Sequence, residues 1–292
     1  MQTAPELTPS KTLLGIVLMC VGVAFLSVND AIAKQLNDGY STFQILFMRN
    51  IIALPFAIAV VIKFSGTSAL RSYRPMMHLL RGLIWLCAAF LFFTSLRYLA
   101  LAEATALIFV APVFITALSA LLLKEQVGWR RWSAVLIGFV GVMVVVRPGA
   151  ATFQPAALLP LVTALFYAIL MISARWVDPR ESVWTLMLYL VAVGGLLAAL
   201  AMPFVWRPIQ SEDLWLFFAI AFFGTGGMTM MTQAFRLAQA SVVAPLDYTA
   251  MLWATLLGWS IWRELPDAMT FVGAAIIIAS GVIIILRERA AA

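Results

Sequence analysis

Asp30, Arg49, Glu103 and Asp247 each interrupt a long apolar run of this sequence. A charge held in hydrocarbon costs about 3 kcal/mol or more, so each of the four has to be paired, hydrated or put to use. Asp30 and Lys34 stand four apart on one helical face, where they can pair. Arg49 and Asn50 open the next run at about the same depth, and Glu103 begins another close to Arg97. Asp30, Lys34, Arg49, Asn50 and Glu103 are therefore expected to form one satisfied polar network at the outer rim of a membrane bundle. Asp247 differs, because it follows Pro245 by two residues, precedes Tyr248 and lies within a run. It reads either as a structural partner of a neighbouring helix or as an acid that couples transport to charge.

A second constellation is polar but uncharged. Thr225, Thr229, Thr232 and Gln233 follow the i, i+4, i+7, i+8 spacing of one helical stripe, with Gly224, Gly226 and Gly227 beside them. Such a stripe either lines a wet cavity or glues two helices together. Pro112 and Pro245 each remove a backbone donor inside an apolar run and free carbonyls for other partners. Paired breaks of this kind mark hinges or kinks beside a transport site. Trp85, Phe109, Tyr167 and Tyr248 lie deep in their runs, and those with a polar tip need a partner or a cavity. The expected substrate-binding set is Trp85, Phe109, Tyr167, Thr229, Gln233 and Tyr248.

Enzymatic chemistry finds little footing. His78 is the single histidine and is expected to touch lipid headgroups with Arg74 and Arg81. Metal-ligand spacing, a phosphate-cradling loop and a Ser/His/Asp set are all missing. The two cysteines, Cys20 and Cys87, sit inside apolar runs and indicate neither a disulfide nor a metal site. No cofactor is expected, and without a nucleotide motif any transport would draw on a gradient.

The elements that must position these groups follow from composition. Hydrophobic residues make up 64% of the chain and charged ones 11%, against about 25% charged in a soluble domain. A membrane span needs about 20 apolar residues. Charge clusters cut the chain into runs at 12–33, 42–63, 78–98, 104–123, 131–147, 156–175, 183–204, 213–235, 241–262 and 268–286. The first run ends in Asn29, Asp30 and Lys34 rather than a cleavage site, so it is a retained helix and not a signal peptide. With both termini cytoplasmic, thirteen of the 19 basic residues fall inside and six outside, as the positive-inside rule requires. The basic residues are strung along short loops, so they report orientation in the membrane rather than a nucleic-acid partner.

Arg97–Arg147 returns, blurred, as Arg236–Arg287. Ala102–Ala106 falls on Ala240–Ala244, Lys124-Glu125 on Arg263-Glu264, and Gly141-Val142 on Gly281-Val282. Duplication divides the chain into halves 1–150 and 151–292. Five spans per half is an odd number, so the halves must be inverted, which also places Lys34 and Arg175 on opposite faces. The predicted fold is an all-α integral membrane protein of ten helices, two inverted five-helix repeats around a central cavity. Spans five and ten are apolar nearly all round and carry Gly138, Gly141, Gly273 and Gly281. They belong at the edge, bracing each half or mediating a homodimer. Changes such as Val144→Leu and Ile277→Leu should then be indifferent.

The repeat resembles the ten-helix EamA type of the drug/metabolite transporter superfamily over nearly the whole chain. Its carriers are Arg97–Ala104 entering span four, Ala111-Pro112-Val113 within it, Lys124-Glu125 at its end, and Ala240–Pro245 with Arg263-Glu264 in the second half. The resemblance implies inverted repeats around a cavity with the fifth and tenth helices outside. It also implies export of amino acids, metabolites or drugs across the bacterial inner membrane by alternating access. Within the superfamily the chain is most similar to YddG-type exporters of aromatic amino acids and amphipathic toxic compounds. Small multidrug relatives couple to protons through a Glu in the first helix; here Asp30 stands late in that span, so the resemblance does not imply proton antiport. Three alternatives are a sugar-phosphate or nucleotide-sugar carrier, a membrane-embedded enzyme and a non-transporting scaffold. The first would need paired basic groups at mid-depth, and the sequence places none there.

Overall fold

The computed structural model describes residues 9–122, 129–146, 154–173, 177, 180–237 and 244–291. Lys124-Glu125, Arg147, Arg175 and Ala240–Val243, all used in the repeat argument, lie outside them. Every regular element among the described residues is helical. Lipid dictates this, since a lone helix satisfies its own backbone where no water can. The helices are α1 (Pro9–Leu36), α2 (Thr42–Ser65), α3 (Pro75–Ser95), α4 (Leu101–Ile108), α5 (Ala111–Leu122), α6 (Trp129–Val146), α7 (Leu158–Ser173), α8 (Val183–Ala199), α9 (Leu214–Leu237), α10 (Ala250–Leu257) and α11 (Ala268–Ala291). Among the described residues, four stretches are long and apolar enough to cross a membrane: Leu13–Leu36, Thr42–Ser65, Pro75–Ser95 and Ser211–Met231. Shorter apolar helices occupy the other predicted spans, except span nine, which is irregular.

Local signals fix the ends. Ser41 accepts a hydrogen bond from the Gln44 amide at 3.2 Å and starts α2, while Ser182 accepts one from the Thr185 amide at 3.1 Å and starts α8. Gly66 closes α2 with φ 78°, a conformation that favours glycine. Pro75 heads α3, where its missing N–H costs nothing.

Packing exposes the internal symmetry. Exchange α1 with α7, α2 with α8, α3 with α9, α4–α5 with 244–257, and α6 with α11. The extensive α1·α9 contact then becomes α7·α3, α3·α8 becomes α9·α2, and α5·α7 becomes the contact of span nine with α1. The α2·α8 and α6·α11 contacts map onto themselves. Both self-paired contacts are antiparallel. Asn50 lies by Gly194 and Gly195 while Val61 packs with Trp184, and Gly138 meets Ser280 while Val145 meets Gly273. An antiparallel pair that maps onto itself needs a two-fold axis perpendicular to the helices, so the repeats are inverted.

The exchanged loops also meet in matching ways. At one end, the Lys34 end, the Tyr40 hydroxyl donates to Asp213 at 2.7 Å, and Gln44 exchanges hydrogen bonds with the Arg207 backbone at 2.7 and 3.0 Å. At the other, the Glu181 end, Glu181 accepts from Ser72 Oγ at 2.7 Å and from the Tyr73 amide at 2.6 Å. Tyr189 there donates to the Leu70 carbonyl at 3.1 Å. Each end is tied by one carboxylate and one tyrosine across the halves.

α6 and α11 lie at the edge. Leu136, Phe139 and Val140 of one and Met269, Phe271 and Val272 of the other are exposed. Their glycines face each other: a β-carbon on Gly141 would stand 2.9 Å from the Gly273 carbonyl, and one on Gly273 would stand 2.8 Å from that of Gly141. Small residues allow this approach. Ile277 is fully buried in the same seam, its Cγ1 2.8 Å from the place of a Gly141 β-carbon. The indifference expected of Ile277→Leu is therefore corrected: uniform apolarity hid a face that packs helix on helix.

Candidate transport site

Span four is broken between α4 and α5. Pro112, in the first turn of α5, has no N–H to offer the Ile108 carbonyl, so the α4 ladder ends there. The described part of span nine opens with a 3₁₀ segment, Ala244–Thr249, that holds Pro245 in its first turn, and it ends in a π turn, Gly258–Trp262. The two irregular stretches touch. The Phe109 ring meets that of Tyr248 edge to face, centroids 5.1 Å apart, and the buried Tyr248 hydroxyl has no hydrogen-bond partner among the described residues. Asp247 stands next to it in the chain. Thr229 turns elsewhere, donating to Met187 Sδ of α8 at 3.7 Å, and Gln233 is half-buried on the same helix.

The polar network expected at the outer rim is divided. Lys34 does not pair with Asp30; its ammonium meets Glu264, lies 4.8 Å from the centre of the Trp262 ring and donates to the Leu99 carbonyl at 3.4 Å. Arg263 prepares this contact by adopting φ 60°, a left-handed turn that ends the π segment and brings Glu264 inward. Glu103 lines an open crevice of about 250 Å³ with Gln154, Asp267 and Thr270. Arg97 instead donates to Asn37 Oδ1 at 3.3 Å and to the Tyr40 carbonyl at 2.7 Å. The physical reason is rotation: α1 turns Lys34 toward span nine and Asp30 toward α2.

Asp30, Arg49 and Asn50 remain inside the bundle. Asn29 Nδ2 donates to Asp30 at 2.9 Å, and the ion pairs among the described residues do not include one between Asp30 and Arg49. The Arg49 guanidinium lies 5.7 Å from the centre of the Trp85 ring and 5.8 Å from that of Phe93.

Sequence reasoning also misplaced His78. It is 1% exposed, stacks on Tyr189 at 4.5 Å and pairs with Glu181 rather than with headgroups. Arg81, one turn on, is buried too, donating to the Leu170 carbonyl at 2.8 Å and Ser173 Oγ at 2.6 Å. Their i, i+3 spacing placed both on one face, and only the neighbours tell which face that is. Burial alone would raise the Glu181 carboxyl, but hydrogen bonds from Ser72, His78 and the Tyr73 amide outweigh it and hold the group below its ordinary 4.5. A depressed carboxylate contributes stability that is complete above the unfolded value and is lost as pH falls through the folded one. Wild type should therefore melt above Glu181→Gln at neutral pH, and the gap should close only below about pH 4.5. Melting curves across pH 3–7 test this, and a gap independent of pH would refute it.

The EamA-like transporter family matches the chain twice, over residues 13–147 and 154–287. The chain is 28% identical over 279 residues to the S-adenosylmethionine uptake transporter of Rickettsia prowazekii (strain Madrid E), covering 94% of this chain and 93% of that protein. It is 31% identical over 277 residues to the riboflavin transporter of Vibrio cholerae serotype O1, covering 90% and 89%. It is 26% identical over 269 residues to the pseudopaline exporter CntI of Pseudomonas aeruginosa, covering 90% and 93%. A solved crystal structure superposes with a TM-score of 0.64 at 20% identity, over 96% of this chain and 98% of that one, which speaks for the fold alone. These relatives carry varied metabolites in both directions, so they give no support to the narrower likeness to aromatic amino-acid exporters. With both halves matched, the chain belongs to the EamA-like transporter family.

Proposed function

We propose that this protein is a secondary carrier that moves a small amphipathic metabolite across the cell inner membrane by alternating access, with both termini cytoplasmic. The observation that carries the reading is the two-fold exchange of helix contacts. A bundle whose halves pack by the same contacts in inverted sense has two packings of similar energy, one open to each side. Spans four and nine, irregular at Phe109 and Tyr248, supply the freed backbone and the hinges at Pro112 and Pro245. Trp85, Phe109, Tyr167, Thr229, Gln233 and Tyr248 line the path in this reading, with Asp247 as a coupling or structural acid. The exposed apolar faces of α6 and α11 meet lipid or, in a homodimer, a second copy.

The substrate classes to try first are the ones named for the relatives, S-adenosylmethionine, riboflavin and pseudopaline, together with amino acids, aromatic ones included. Export fits the sequence resemblance, yet the relatives include uptake carriers, so the gradient and not the fold sets direction. Purified protein in proteoliposomes should accelerate counterflow of at least one labelled solute from this panel. A pH gradient imposed in a second series reports coupling. Failure to move any of them in either direction would sink the transporter reading. Sidedness is separable: single cysteines at Lys34 and Glu264 should label from outside and one at Arg180 from inside, and the opposite pattern would reverse the topology.

A further inference from the structure

We propose that the crevice between the α2–α3 loop and the start of α8, at the Glu181 end, seats the phosphate of an anionic phospholipid. It has a volume of about 150 Å³, and both halves build it: Ser65, Ser68 and Arg71 come from the first, Arg180 and Ser182 from the second. The occupant is a lipid of the bilayer and not the transported solute, so the site stands or falls apart from the carrier reading.

The two-fold exchange supplies a comparison within the molecule. Ser41 and Ser182 cap α2 and α8 in the same way, so Gly39 matches Arg180 and Gln44 matches Thr185. Gln44 Nε2 donates to the Arg207 carbonyl at 2.7 Å, and Thr185 Oγ1 donates to the Ala69 carbonyl at 2.9 Å. Arg207 and Ala69 therefore hold equivalent places in their loops. At the Lys34 end the Arg207 guanidinium crosses to the Gly39 carbonyl at 3.0 Å and closes the space between loop and helix. At the Glu181 end that place falls to an alanine, too short to cross, and a second cation stands where Gly39 does. The crevice stays open and is positive.

Its chemistry suits a phosphate. The Arg180 guanidinium lies 4.2 Å from the centre of the Tyr73 ring, a stack that fixes its plane. The Arg71 side chain and the Ser65 and Ser68 hydroxyls make no hydrogen bond or ion pair among the described residues. Glu181 is the one carboxylate on the lining, and its oxygens are committed to Ser72, the Tyr73 amide and His78. A tetrahedral anion accepts from several sides at once, as two guanidinium forks and two hydroxyls require.

Depth selects a lipid over a soluble anion. Ser65 ends the membrane-spanning stretch Thr42–Ser65, so the crevice lies at head-group level. Ile62, Ile58 and Ile51 continue from Ser65 along one face of α2, in steps of three, four and seven residues, and all three are exposed. A phospholipid whose phosphate sits between the arginines lays an acyl chain along that stripe. Because Arg71 and Arg180 belong to different halves, the bound phosphate also ties the halves together at this end.

Native mass spectrometry of protein released from nanodiscs of mixed phosphatidylcholine and phosphatidylglycerol tests the site. Wild type should retain one phosphatidylglycerol in preference to phosphatidylcholine. Arg71→Gln should weaken that retention about 10- to 100-fold, the loss of a charged hydrogen bond. Arg74→Gln removes the same charge at the same end but outside the crevice, and retention should match wild type. Thermal melting gives a second reading. Wild type and Arg71→Gln should melt alike in pure phosphatidylcholine, because the exposed Arg71 side chain holds no partner, and phosphatidylglycerol should raise the wild type more. Equal retention of the two lipids, or equal losses in Arg71→Gln and Arg74→Gln, would mean diffuse attraction to a charged surface and overturns the site. Inorganic phosphate that raises the melting temperature as much as phosphatidylglycerol does would make this a soluble-anion site and overturns the lipid.

Discussion

Leucine at Gly227 should leave little folded protein in the membrane. Gly227 and Gly22 bring α9 and α1 together, backbone against backbone, in the most extensive interface between the halves. A β-carbon on Gly227 would stand 2.9 Å from the Gly22 carbonyl and 2.9 Å from Leu26 Cγ. One on Gly22 would stand 3.0 Å from the Gly227 carbonyl and 3.1 Å from the Met231 amide. Rotamer changes relieve a clash with a side-chain end but not one with a carbonyl, so the helices must separate along their contact. Overpacking costs about 1–3 kcal/mol where side chains yield and more where they do not. Stability totals of about 5–15 kcal/mol leave little room for that. Gly39→Ala is the control, because nothing stands within 4 Å of its β-carbon position. Gel filtration in detergent and thermal melting read the difference. A Gly227→Leu protein that elutes and melts like wild type would show that α1 and α9 do not approach this closely.

Gly227 was legible in the sequence within the cluster beside the Thr stripe, and Gly138, Gly141 and Gly273 as packing residues of spans five and ten, whereas Gly22 was not singled out. Small residues in a membrane helix have few other uses, so composition alone carries that inference. Prolines were legible for the same reason: the missing N–H at Pro112 ends α4 whatever its neighbours do. Rotation of a helix about its axis was not legible. Asp30 and Lys34 satisfy the i, i+4 rule, yet that rule says only which side chains can meet on one helix. Neighbouring helices decide which do meet, and the partner of Lys34 is 230 residues away. His78 failed in the same manner. A lone histidine by a basic loop looks wet from its neighbours in sequence, and Glu181 and Tyr189, which cover it, come from the other half. Phe109 and Tyr248 were selected as deep aromatics, and the irregular backbone beside Pro112 and Pro245 brings their rings together.

Glu264→Gln should destabilise the protein more than Lys34→Met, although each removes the same ion pair. The Lys34 side chain is 10% exposed and that of Glu264 is 38% exposed. Without its carboxylate partner, the Lys34 ammonium stays in a covered site with only the Trp262 ring and the Leu99 carbonyl for company. Uncompensated buried charges cost about 3–5 kcal/mol, and water reaching Glu264 trims this toward the surface value, so about 1–3 kcal/mol is expected. Lys34→Met leaves Glu264 free to turn into solvent and fills the covered site with apolar atoms, so its cost should stay below about 1 kcal/mol. Lys34→Met/Glu264→Gln should then resemble Lys34→Met alone, a strong non-additivity in the double-mutant cycle. Transport should respond as well. The pair joins the end of span one to the end of span nine, and opening of that end in an alternating-access carrier must break it. Glu264→Gln should therefore raise the labelling rate of a cysteine at Asn29, below the pair, in proportion to the destabilisation. Equal costs for the two single variants, with no coupling between them and no change in labelling, would mean that the pair is a surface contact and that this end is held shut by the Tyr40–Asp213 and Gln44–Arg207 ties alone.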